Sequence, residues 1–180
     1  MDLIANLNNT TNQVIQNFSS LPNEQLNWKP DVSKRSIAQC LDHLIVSNST
    51  FFETFDKLIN KTYQLILVQK LNPFNKKFGP IMVKYPGPQS KQKLKNPKVF
   101  TPATSILSSS IIEHFTRHQQ VLINYFNQLN HSNKDKIVIS SPASSFVSYS
   151  LHHAMQTITV HEQRHINQDM NVLNHLNHPK

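Results

Sequence analysis

Leu3, Leu7, Val14 and Phe18 recur at helical spacing with Ile4 and Ile15 beside them, and Pro22 follows closely. Apolar side chains three or four residues apart fall on one side of a helix, so this pattern predicts a first helix over roughly residues 2–19. After a polar stretch holding Trp28 and Pro30, Ser36-Ile37-Ala38-Gln39 has the form of a capping box. In that device a serine side chain receives a backbone N–H three residues on, and the glutamine there reaches back. A second helix is expected to start at this point. Its stripe of Ile37, Cys40, Leu41, Leu44, Ile45, Phe51, Phe52, Phe55, Leu58 and Ile59 carries it to about Leu71, where Pro73 stops it.

Residues 72–101 hold five prolines, both glycines of the chain and much of its lysine, which predicts a long loop without regular structure. Thr101-Pro102 reads as an N-cap followed by proline at the first helical position, and Leu107, Ile111, Phe115, Leu122, Phe126 and Leu129 supply the apolar face of a third helix over about 103–130. The connector 131–145 includes Ile137-Val138-Ile139, an extended run with no evident strand partner, and is expected to be loop. A fourth helix is expected from about Phe146 to Leu176, with 178–180 fraying. The fold class that results is all-α: a four-helix bundle with a long loop between helices two and three, one domain over residues 1–180.

Composition narrows the functions such a bundle can have. Two glycines, Gly79 and Gly87, are too few for a phosphate-cradling loop, which argues against a nucleotide-binding α/β fold. The single cysteine, Cys40, lies inside a helical apolar pattern and has no partner for an internal disulfide. With no basic-then-apolar leader and no apolar run near the ~20 residues a bilayer requires, neither a signal peptide nor a membrane segment is expected, and a cytoplasmic setting follows. The net charge of +8 is concentrated: ten lysines and no acidic residue fall between Lys57 and Ile112. Such a surface can draw anions, yet no reading helix or aromatic stacking platform accompanies it, so nucleic acid is not the expected partner.

The fourth helix carries the chemistry. On a helical wheel Leu151, Ala154, Met155, Ile158, Val172, Leu173 and Leu176 share one face, and in its middle stand His161, Glu162, His165 and Asp169. Unpaired buried polar groups cost ~1–3 kcal/mol each, more if charged, so something must satisfy this cluster. Histidines four apart lie about 40° apart around a helix, which lets both rings converge on one cation. The segment His161-Glu162-Gln163-Arg164-His165 matches the H-E-x-x-H signature of zinc proteases, but Gln168 and Asn171 stand where the extended form of that motif needs glycine and histidine. Glu162 is the candidate catalytic group as a general base; an imidazole-orienting partner or half of a surface ion pair are its other readings. His114 and His118 repeat the same spacing on the third helix, and a core or supporting role is expected of them. His43 sits on the flank of the second helix's stripe, where it can face a groove between helices.

Trp28-Lys29-Pro30, then Ser36-Ile37-Ala38-Gln39-Cys40-Leu41-Asp42-His43-Leu44, and near the C-terminus His161-Glu162-Gln163-Arg164-His165-Ile166-Asn167-Gln168, together resemble the DinB-like superfamily. The likeness covers nearly the whole chain. It implies a four-helix bundle, often dimeric, that binds zinc, nickel or a similar divalent ion through one histidine of the second helix and an H-x-x-x-H pair on a later one. Carried onto this chain, those ligands are His43, His161 and His165. It also implies a small-molecule substrate and a homodimer, with thiol S-transfer using a low-molecular-weight thiol as the expected chemistry. Metal-dependent hydrolysis and a non-catalytic metal-binding module in stress response are the alternatives.

Overall fold

The computed structural model describes residues 2–64, 75–84 and 106–177, and within these the protein is mostly helical. Helix α1 (Leu3–Phe18) begins where Asp2 accepts the Ala5 N–H at 3.0 Å. A short α2 (Asn23–Asn27) follows in what the sequence predicts as loop, and Asn27 exchanges two hydrogen bonds with the backbone of Leu107. Helix α3 (Ile37–Ser49) opens with the expected capping box of Ser36 and Gln39.

The long second helix of the sequence reading does not persist. It is interrupted at Thr50 and Phe51, resumes as α4 (Phe52–Ile59) and then stops. The cause is local. Ser49 Oγ donates to the Ile45 carbonyl and Thr50 Oγ1 to that of Ser47, while the Phe51 N–H closes a tight turn onto Asn48. Side chains that compete for helical carbonyls favour such a break. The second stop is a left-handed cap. Lys61 takes φ 59°, and the N–H groups of Thr62 and Lys61 return to the carbonyls of Lys57 and Leu58. The predicted extension toward Leu71 lies outside the described residues.

Within the predicted loop the chain forms α5 (Asn75–Lys84), with Pro80 inside it. Helix α6 (Ile111–Asn130) starts later than expected, after Ser110; the Thr101-Pro102 start lies outside the described residues. Next comes a hairpin that the sequence reading assigned to loop and to the start of the last helix. Strands β1 (Val138–Ser141) and β2 (Ser144–Ser150) pair antiparallel, with Ile139 opposite Tyr149, both buried, and a register shift at Ser140/Ser141. Helix α7 (Leu151–Asn177) leaves the hairpin directly, its first N–H bonded to the Ile137 carbonyl at 2.8 Å.

Helix α1 packs on α6 and α7, α3 packs on the same two, and α5 lies across β2 and the start of α7. The apolar core has two parts. One gathers Leu7, Phe55, Phe126, Tyr149 and Met155 near the hairpin; the other gathers Val14, Phe18, Leu41, Phe115 and Ile166. Between the residues that α7 gives to each part, Ile158 and Ile166, stand Thr159, Glu162 and His165, all buried. No helix among the described residues is long and apolar enough to cross a membrane.

Candidate metal centre

The buried polar stretch exists because α3 and α7 face each other with histidines at the same height. His43 is 2% exposed and His165 7% exposed, while His161 is partly buried. The three rings meet edge to face, with centroids 4.5 Å apart for His161–His165, 4.8 Å for His43–His165 and 5.2 Å for His43–His161. One nitrogen from each lies within 4.8 Å of the others. Burial first, then the neighbouring rings and the charges of Arg35 and Arg164, push the His161 pKa down to about 3 and hold that of His165 lower still. Neutral imidazole is the form that ligates metal.

The donor set passes a geometric test of fit. Nε2 of His161 and Nε2 of His165 approach to 3.0 Å. Two nitrogens each ~2.0–2.1 Å from one cation, at right-angled to tetrahedral openings, stand roughly 2.9–3.4 Å apart. On the far side of two of the rings the structure supplies a partner: His43 Nδ1 lies 3.3 Å from Ser47 Oγ, and His165 Nδ1 lies 3.2 Å from Cys40 Sγ. Such partners fix which nitrogen points inward.

The remaining site residues separate. Glu162 is fully buried, which removes the surface ion-pair reading, and it is not part of the three-histidine group. Its Oε1 accepts from Asn48 Nδ2 of α3 and Gln119 Nε2 of α6, both at 2.6 Å, and burial pushes its pKa up to about 8. Asp169 is also buried, hydrogen-bonded to Cys40, with its pKa raised well above the usual range by burial. His118 is buried in stacking contact with Phe52 and His114 is exposed, so the α6 pair makes no second centre. The lysine-rich segment lies largely outside the described residues. Cys40 and Asn48 were missed as site residues by sequence reasoning. Cys40 precedes His43 by three and Asp169 follows His165 by four, spacings that put each on its histidine's side of the helix.

Facing helices that bring three imidazoles together in a mostly helical chain define a candidate metal-binding helical protein. The chain belongs to the DinB superfamily, whose family model matches residues 6–168. No curated protein and no solved structure matches it.

Proposed function

We propose that this protein is a metal-dependent enzyme in which His43, His161 and His165 hold one divalent cation, zinc or nickel. Its reaction is the transfer of a low-molecular-weight thiol to an electrophilic small molecule. The observation that carries the reading is the convergence of three imidazole nitrogens within 4.8 Å, from two helices, inside a packed core. Three protein ligands leave coordination positions for a reactant. The packing of α1 and α3 each against α6 and α7 supports the four-helix bundle of the sequence reading.

A cation bound there would lower the pKa of a thiol or water brought into its coordination sphere, giving a nucleophile near neutral pH. The chain's own groups do the rest. Ser47 and Cys40 orient two of the rings, and the positive charges of Arg35 and Arg164, which act on His161 and His165, favour an anionic reactant. Glu162 we read as an anchor of α7 to α3 and α6 rather than a base, since its Oε1 is already held by two amides.

The test is turnover by zinc- or nickel-loaded protein with a panel of small thiols and a model alkylating electrophile, beside ester and amide substrates. Metal-dependent loss of free thiol, absent after chelation and in His161→Ala, is the expected result. Ester or amide cleavage without thiol loss would replace transfer by hydrolysis. Stoichiometric metal with neither reaction would leave a non-catalytic metal-binding module.

A further inference from the structure

The buried carboxyl of Glu162 on α7 is gripped at one oxygen only. Its Oε1 accepts from Asn48 Nδ2 of α3 and from Gln119 Nε2 of α6, both at 2.6 Å, with the three residues 0%, 1% and 0% exposed. Its Oε2 and the Gln119 Oε1 are buried and find no hydrogen-bond partner among the described residues. Glu162 follows His161 in the chain, and Asn48 follows Ser47, whose Oγ lies 3.3 Å from His43 Nδ1. The Asn48–Glu162 bond thus ties α3 to α7 one residue away from a candidate ligand on one helix and from a ligand's support on the other. We propose that Asn48 and Glu162 are positioning residues for the metal centre: their bond sets how closely α3 brings His43 to the α7 pair.

The chemistry of the three groups fixes the arrangement. A carboxyl oxygen has two lone pairs, and a primary amide gives hydrogen only from its nitrogen. Both amides turn that nitrogen to Oε1 and together fill its two acceptor sites. The same two bonds form whether or not Oε2 carries a proton, so no ionisation state enters. Sliding α3 along α7 would leave a buried amide donor unpaired, which is costly. For stability alone the design is poor. Two further buried acceptors go unsatisfied, and apolar side chains of similar volume would fill the space without that penalty. What a polar strut supplies is a single register. In this register the rings of His43, His161 and His165 meet with centroids 4.5–5.2 Å apart. Gln119 provides an internal control. Its amide makes an equal bond at equal burial, but from α6, which supplies none of the three histidines. Asn48 and Gln119 should therefore weigh alike on stability and unlike on the metal.

The inference rests on the metal-site reading, and its test separates the two. Asn48→Leu, Gln119→Leu and Glu162→Gln are compared with wild type by urea unfolding and by chelator competition for zinc. In the metal-free proteins the nuclear Overhauser effect between the His43 and His161 ring protons is also recorded, since those rings are 5.2 Å apart. Asn48→Leu should lose roughly 10- to 100-fold in zinc affinity, the span usual for residues that orient ligands, and weaken the ring-to-ring effect. Gln119→Leu should shift the unfolding midpoint as far, yet hold zinc affinity within about threefold. Glu162→Gln keeps an oxygen for both amides and should match wild type in affinity and ring contact. Should Asn48→Leu fail to fold, Asn48→Ser, polar but too short to reach Glu162, is read in the same way. Equal affinity losses at Asn48 and Gln119, or undiminished zinc affinity in a folded Asn48 variant, would overturn the proposal. Wild type that binds no zinc, with the ring contact still lost in the Asn48 variant, would instead sink the metal reading and leave the positioning role standing. A ring contact unchanged in that variant would overturn the role as well.

Discussion

Helices α6 and α7 each carry two histidines four residues apart, and the two pairs end differently. His161 and His165 on α7 meet a third ring, His43, with centroids about 5 Å away. His114 on α6 is exposed, and His118 is buried with its ring stacked on Phe52, centroids 5.1 Å apart, and its Nε2 without a hydrogen bond. Spacing places two rings on one side of a helix; only the helix opposite decides whether that side offers a third nitrogen or a phenyl ring. The polar environment differs too. Nδ1 of His165 has Cys40 behind it, whereas burial alone sets the state of His118.

The largest expected effect breaks the α7 pair. His165→Ala removes one of three candidate ligands and should weaken zinc or nickel binding more than about 100-fold, whereas His118→Ala should leave it within about threefold. Chelator competition on both proteins measures this. Equal losses would mean that the α6 pair participates after all, and the contrast between the helices would fail.

How much of this was legible beforehand follows the same contrast. The helical stripes and the Ser36–Gln39 capping box are local signals, and the structure reproduces α1, the start of α3 and most of α6 and α7. His161 and His165 were legible because polar residues interrupted an apolar stripe. His43 was not legible from periodicity, since the flank of a stripe is normally solvated; the family resemblance supplied it, and the structure buries it opposite the pair. The β-hairpin was hidden because its second strand is rich in serine, and its turn at Pro142-Ala143 lacks the Asn-Gly or Asp-Gly signal. The break at Thr50 was hidden because Phe51, Phe52 and Phe55 keep a helical apolar rhythm across it. Hydroxyl competition for the backbone leaves that rhythm untouched.

A smaller effect sharpens the contrast from the α6 side. Burial pulls the His118 pKa from 6.5 down to about 4. Between those values the unfolded chain binds a proton there that the folded protein does not, so stability should be full above pH 6.5 and fall as pH drops toward 4. The gap corresponds to on the order of 3 kcal/mol at its full extent. His118→Leu, which cannot charge, should cost about 1 kcal/mol at pH 7 through the lost ring stacking yet flatten this acid limb. Urea unfolding across pH 4–7 checks it; parallel acid limbs in the two proteins would show that His118 titrates normally.

The smallest effect concerns a third histidine use, as packing surface. A Cβ at Gly79 of α5 would stand 2.6 Å from Cγ and Nδ1 of His153, at the start of α7, and that ring is held by Ser150 Oγ, 2.7 Å from Nδ1. Alanine inside a helix normally stabilises by about 1 kcal/mol over glycine. Here overpacking should oppose and exceed that gain, so Gly79→Ala should lower stability by about 1–2 kcal/mol. Adding His153→Ala removes the obstruction and should reverse the sign, leaving a coupling that a double-mutant cycle reads directly. The clash lies at the hairpin end of α7, two turns or more before His161, so metal affinity should not change in either variant. A Gly79→Ala protein more stable than wild type would mean that α5 does not rest on His153. If the fold stays intact but metal binding is lost, His153 would belong with the α7 pair rather than with the packing surface.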